Sequence, residues 1–446
     1  MTNTRNDLRQ GTLWKQILFF SLPIAATSML QQLFNSADVA VVGRFSAQKD
    51  LALAAVGSTS SVVNLFITII TGLAVGANVV IARSIGASDE KRAKQAVHTA
   101  LILSLLCGAI LLVLGECIAL PLLEIMDTPS DIIGLAGKYL RIYMLGVFFQ
   151  TIYNFEASIL RANGDTRRPL FCLIFSGAVN VVLNLVFVIG FQLDVAGVAI
   201  ATVLADVVGA GMLFHYLRRE TGPVHVELSQ LKLDRKLAGA ILYTGIPAAV
   251  QGMMFNIANV IIQTGFNRLG SQVVAASTIG VTAEIFVYYL VNSFGQASMT
   301  FTGQNYGAGN YERIRKGYRL TLGIAGSIGL GAGILFFVLN HEIFGLFVNE
   351  PEAIEAGGNY LKILALSQLF MVTESVTAGA FNGTGHTTPP ALTGIIFTGA
   401  RIPMAYFLTS FPQLGLTGIW WSITISSILK GSVLPLWFLH FQRKLK

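Results

Sequence analysis

The sequence predicts an all-α integral membrane protein of twelve transmembrane helices, arranged as two pseudo-symmetric lobes of six. Three observations carry this. The chain of 446 residues is 53% hydrophobic and only 12% charged. A soluble domain carries about 25% charged residues, and charge this thin cannot coat a water-facing surface. Apolar stretches of bilayer-spanning length, about 20 residues, recur from end to end. The second half then repeats the first at one constant offset.

The spans fall near 15–42, 52–82, 95–120, 132–159, 169–191, 195–217, 237–265, 272–303, 318–340, 353–381, 389–410 and 415–440. Several, such as 52–82 and 272–303, are longer than a bilayer needs, which implies tilt or extension beyond the hydrocarbon. The connections are short. The longest lies in mid-chain and divides an N-lobe, 1–219, from a C-lobe, 237–446, through a loop at 220–236.

The repeat is visible at four places. "IGASDEKRAK" (85–94) matches "YGAGNYERIR" (306–315), and "KYLRI" (138–142) matches "NYLKI" (359–363). "NGDTRRP" (163–169) matches "TGHTTPP" (384–390), and "VAGVAIA" (195–201) matches "LTGIWWS" (416–422). All four pairs share a single offset, that from Gly86 to Gly307. Pro23 and Pro247, in the first span of each half, are slightly further apart, so a small insertion precedes the matched part of the second copy. Six spans per copy return the chain to the same side, which makes the copies parallel, related by an axis along the membrane normal.

Basic residues orient the chain. With the N-terminus inside, 22 of the 30 Lys and Arg fall on the inner side, from Arg5 and Arg9 to Arg443, Lys444 and Lys446. Six, including Arg268, fall on the outer side. That asymmetry puts both termini in the cytoplasm. It accounts for the net charge of +7 without nucleic acid as a partner. The N-terminus is polar, and no cleavable signal peptide is evident. Cys107, Cys117 and Cys172 sit in apolar runs without metal-ligand spacing and read as small core residues. His98, His215 and His440 flank span ends and read as interfacial.

A charged side chain at mid-bilayer costs about 2.5–3.5 kcal/mol on insertion scales, so it is expected to face a cavity or a partner. Asp38 is such a residue. Gln31, Asn35 and Asp38 are four and three apart, on one face of span 1. Span 2 carries Ser61, Asn64, Thr68 and Thr71; span 5 carries Ser176, Asn180 and Asn184; span 6 carries Thr202 and Asp206. Convergence of these stripes would make an oxygen-lined pocket around one or two carboxylates. Such a pocket takes either a proton or a hard cation such as Na⁺.

The second half has different chemistry. Glu284 shares a face with Tyr288, Asn292 and Gln296, and Glu374, Arg401 and Lys430 lie in later spans. At the repeat offset Asn180 corresponds to Arg401: the scaffold repeats and the charges do not. Glu374–Arg401 and Glu284–Lys430 are candidate internal ion pairs. Glu156 stands about one and a half turns before Arg161 and is expected to pair with it. Phe148, Phe149, Tyr153, Phe255, Phe286, Tyr288 and Tyr289 are candidates to line an apolar chamber.

These residues resemble the multidrug and toxic compound extrusion (MATE) family, bacterial type. The resemblance covers essentially the whole chain. It rests on the duplicated halves, "SLPIAATSMLQQLFNSADVAVVGR", "ASILRANGDTRRP" and "GQNYGAGNYERIRKG". It implies a V-shaped pair of lobes and secondary active antiport in the bacterial cytoplasmic membrane. Inward H⁺ or Na⁺ would drive export of cationic or amphipathic drugs and toxins, without a cofactor and by a monomer. By the same resemblance Asp38 matches the family's first-helix aspartate, with Asn180, Asn184 and Thr202 beside it as possible Na⁺ ligands. Asn184 is an amide where some members carry a second aspartate, and Asp206 stands one turn from Thr202 to compensate. Glu284, Glu374, Arg401, Tyr288, Gln31 and Asn35 are the candidates for substrate contact or coupling in the C-lobe and cavity. A lipid-linked saccharide flippase of the same superfamily is the alternative, although such proteins carry a more cationic cavity. No paired His/acid, zinc or phosphate-loop motif suggests an enzyme.

Overall fold

A computed structural model describes residues 7–46, 48–267, 271–345, 351–415 and 417–444. Arg5, Arg268 and Lys446, counted above for orientation, lie outside them. Every regular element among the described residues is helical. The first half comprises α1 (Leu13–Phe45), α2 (Lys49–Gly86), α3 (Glu90–Ile125), α4 (Ile133–Ala162), α5 (Arg167–Leu185) and α6 (Asp194–Arg219). The second comprises α7 (Arg235–Asn267), α8 (Ser271–Gly307), α9 (Tyr311–Val338), the short α10 (Asn340–Gly345), α11 (Pro351–Ala365), α12 (Gln368–Gly383), α13 (Thr388–Thr409) and α14 (Thr417–Lys444).

The twelve predicted spans correspond to these helices, with one difference. The tenth is broken at Leu366 and Ser367, where α11 and α12 meet at a 44° bend. Among the described residues nine helices are long and apolar enough to cross a membrane, or ten if this pair is one span. The two others are α4, which carries Gln150, Asn154 and Glu156, and α8, which carries Glu284, Asn292 and Gln296. The polar residues of α4 lower its mean hydropathy, and it offsets this by burying itself against α2, α3 and α6.

The duplication extends to backbone detail. The starts of α3 and α9, the starts of α5 and α13, and the ends of α2 and α8 all keep the offset read from the sequence. Three left-handed turn residues recur at that same offset: Ser88 and Gly309, Gly164 and Gly385, Asp194 and Gly415. Such a conformation costs a residue with a Cβ about 1–2 kcal/mol. Ser88 and Asp194 bear that cost where the second copy has glycine.

The chain divides into two compact units. One contains Ala26–Ala249; the other contains Leu8–Ala25 and the chain from Val250 onward. The division therefore falls inside α1 and α7, just after Pro23 and Pro247, whereas the sequence reading placed it in the 220–236 loop. In the first unit the opening half of α7 packs on α2. A Cβ on Gly76 would lie 2.0 Å from the Ile241 carbonyl oxygen, and one on Gly72 would lie 2.4 Å from Ala249 Cα. Only glycine allows the two backbones to approach this closely. In the second unit Phe20 and Ile24 of α1 are buried against Ala297 and Phe301 of α8.

The mid-chain segment is a strap on the first unit. Val224 and Val226 are buried in its core. The Glu227 N–H donates to His98 Nε2 (3.2 Å) and the Asp234 N–H donates to Thr99 Oγ1 (3.2 Å). Asp234 Oδ1 then accepts from the Lys236 and Leu237 N–H groups at the start of α7. His98 is consequently buried and structural, not interfacial. Of the cysteines, Cys172 is a core residue, Cys107 is half-buried and Cys117 is exposed on the apolar surface of α3, where a lipid-facing position accepts any small apolar group.

Candidate functional site

In the first unit, three helices bring polar side chains together at Asp38. Asp38 is on α1 and buried. Asn184 Nδ2 donates to its Oδ1 at 2.5 Å, and Thr202 Oγ1 lies 3.3 Å from its Oδ2. Asn184 also donates to Asn180 Oδ1 (3.1 Å), and Asn180 Nδ2 donates to Thr202 Oγ1 (3.3 Å). Thr202 has one hydroxyl proton, and the Val198 carbonyl at 3.0 Å competes for it. The carboxylate is thus held by neutral dipoles, and no base pairs with it among the described residues. The Asn184 carbonyl oxygen, fully buried, has no hydrogen-bond partner among the described residues. Immediately after Asn184 the helix widens into a π turn, Val186–Gly190. Such turns recur where a helix is shaped for a function rather than for regularity.

Asp206 follows one turn after Thr202, beside Gly146 of α4. A Cβ on that glycine would lie 3.4 Å from Asp206 Oδ2. Tyr139 and Tyr143, stacked on one another at 6.0 Å and buried, complete the wall. Tyr139 is within electrostatic reach of Asp38, and Tyr143 of both aspartates. Sequence reasoning passed over these two tyrosines. Their spacing of four on α4 was the available signal.

Other expected members stay outside. Gln31 and Asn35 share the α1 face of Asp38 but are exposed, and neither bonds to the cluster. On α2, Thr68 and Thr71 return their hydroxyls to the carbonyls of Asn64 and Ile67 on their own helix. Glu156 does not pair with Arg161. It is fully buried, and neither carboxylate oxygen has a hydrogen-bond partner among the described residues.

The second unit has its own cluster. Lys430 Nζ is 3.0 Å from Glu374 Oε1, so the pairing is Glu374–Lys430 rather than Glu374–Arg401 or Glu284–Lys430. Glu284 makes no ion pair among the described residues. Arg401 donates from Nε to Ser426 Oγ (3.0 Å) and from Nη1 to Asn259 Oδ1 (3.1 Å). Its guanidinium sits 5.8 Å from the centroid of the Phe255 ring, on which Tyr288 is stacked at 6.3 Å and 6°.

A family model described as MatE matches residues 23–186 and 247–407. The chain belongs to the MatE family. The two matched segments begin at Pro23 and Pro247 and their ends keep the repeat offset, so the MatE unit occurs twice, as the repeat requires. Among curated relatives, the chain is 28% identical to "Probable multidrug resistance protein NorM" of Thermotoga maritima, over 95% of this chain and 92% of that protein. It is 27% identical to "Probable multidrug resistance protein YoeA" of Bacillus subtilis, over 92% and 90%. Among solved structures it is similar to a MATE in the bent conformation, with a TM-score of 0.92, 26% identity and coverage of 100% and 98%. It is also similar to an outward-facing multidrug resistance MATE family transporter, with a TM-score of 0.90, 26% identity and coverage of 100% and 99%. The all-helical, twice-six architecture of this MatE protein is therefore that of the family's transporters.

Proposed function

We propose that this chain is a secondary active antiporter of the bacterial cytoplasmic membrane, with both termini inside. It exports cationic or amphipathic organic compounds in exchange for H⁺ or Na⁺. The observation that carries the reading is Asp38: a buried acid on a membrane helix, gripped only by amides and a hydroxyl. A carboxylate so placed is stabilised by gaining a positive ion and destabilised by losing it. H⁺ would sit on the carboxyl itself. Na⁺ would take oxygens from Asp38, Asn180, Thr202 and the Asn184 carbonyl, which has no partner among the described residues, a hard-donor set suited to it. Asp206 supplies the second negative charge nearby. Support for the exported class comes from the relatives, which are named as multidrug resistance proteins.

The test is efflux of an organic cation from proteoliposomes under an imposed pH or Na⁺ gradient, for the wild type and Asp38→Asn. The gradient that drives the wild type names the ion. Asp38→Asn is expected to lose gradient-driven efflux. An asparagine form that exports at the normal rate would sink the coupling role of Asp38.

A further inference from the structure

The two halves place two equivalent positions in similar three-helix arrangements, with the charge reversed. In the first unit an acid on the first helix (Asp38) meets an amide on the fifth (Asn180) and a hydroxyl on the sixth (Thr202). At the repeat offset Asn259 takes the place of Asp38 in the second unit, and Arg401 takes the place of Asn180. These two are bonded to each other, and Ser426 of α14 supplies the hydroxyl. One fixed charge surrounded by neutral dipoles occurs in both, negative in the first and positive in the second.

Arg401 is 3% exposed. Its contacts on Nε and Nη1 are with neutral oxygens, and Nη2 has no hydrogen-bond partner among the described residues. The acids in electrostatic reach are Glu284 and Glu374. Glu374 is held by Lys430, and Glu284 makes no ion pair among the described residues. A buried guanidinium without a touching counter-ion is costly, and a carboxylate satisfies it best through paired N–H groups. Phe255 under the guanidinium, with the exposed Tyr288 stacked beside it, extends this charge into an aromatic surface.

We propose that the second unit contains an anion-binding site at Arg401, which takes a monovalent anionic group such as the carboxylate of an aromatic substrate. Asn259 and Ser426 orient the guanidinium, and Phe255 and Tyr288 receive the ring. The site is independent of the Asp38 reading, since it rests on binding alone and not on the coupling ion.

The test is equilibrium binding of 2-naphthoate to the purified full chain in detergent, against 2-naphthamide, which has the same ring and no charge. The wild type is expected to prefer naphthoate by about tenfold or more. Arg401→Gln should abolish that preference. Asn259→Asp should do the same while remaining folded, because it places a carboxylate on Arg401 and occupies it internally. Chloride competition separates the sources. Displacement at similar concentration points to an inorganic anion; weak displacement points to an organic carboxylate with the ring contributing. Equal binding of naphthoate and naphthamide would overturn the proposal. So would a folded Asn259→Asp form that keeps wild-type affinity for naphthoate.

Discussion

Removing either partner of the Lys430–Glu374 pair is expected to destabilise the second unit far more than removing both. The pair is 3.0 Å apart, with side chains only 6% and 18% exposed. At an effective dielectric of about 20, two unit charges at that distance attract by about 5 kcal/mol. Most of this offsets the desolvation of both ions, so the pair adds little net stability. Deleting one partner, however, leaves the other buried and uncompensated, at about 3–5 kcal/mol. Lys430 also borders the close α12–α14 seam, where Thr373 donates to the Gly431 carbonyl at 2.7 Å, so an unpaired charge there cannot easily escape to water. Lys430→Met and Glu374→Gln should each lower the thermal midpoint followed by tryptophan fluorescence in detergent. The double variant should return to within about 1–2 kcal/mol of wild type. A double variant as unstable as the sum of the singles would refute the argument, as would a single variant that melts with wild type.

Three further outcomes are expected. Gly76→Ala should destabilise the first unit by about 1–3 kcal/mol, because its methyl would overlap the Ile241 carbonyl; Gly57→Ala, with nothing within 4 Å, should not, and the two melting curves compare them directly. Glu156→Met should raise the thermal midpoint, since neither carboxylate oxygen has a hydrogen-bond partner among the described residues and a buried unsatisfied polar group costs about 1–3 kcal/mol; a lowered midpoint would reveal a partner for Glu156. Asp165 lies in the turn before α5, where burial holds its carboxyl above the ordinary 3.8, although the Arg168 and Arg167 N–H groups and the Arg168 charge partly oppose this. The native state therefore binds the proton more tightly than the unfolded chain. Stability relative to Asp165→Asn should be greatest below about 3.8 and fall as pH rises through the elevated native value. Melting both forms across that range checks the sign.

Much of the fold was legible in one dimension because lipid imposes a simple rule. Backbone polar groups must be satisfied within each span, so a long apolar run has to be a helix, and its length and spacing can be counted. The repeat was legible partly because a left-handed turn such as that at Gly164 favours glycine, and Gly385 keeps it at the repeat offset. The break at Leu366–Ser367 was not legible, since neither proline nor glycine marks it. Within the candidate site, Asp38, Asn180, Asn184 and Thr202 came together as their helical spacing suggested. Gln31 and Asn35 share that face in sequence but not its burial, because only the neighbouring helices determine how far along α1 the covered surface extends. The His98 contact with Glu227 joins residues 129 apart, and no local pattern could announce it.

The sequence by itself determined that this protein is helical, duplicated, embedded in lipid and equipped with acids where acids are expensive. These follow from composition and period, which are properties of the chain read in order. The tertiary structure alone decided which charge meets which partner. It gave Glu374 to Lys430, left Glu156 without a partner among the described residues, set Arg401 between Asn259 and Ser426, and strapped the mid-chain segment to the first unit. Side-chain pairing in a bundle depends on helix rotation and depth, set by close contacts such as Gly76 on Ile241. Those quantities exist only once the helices have packed.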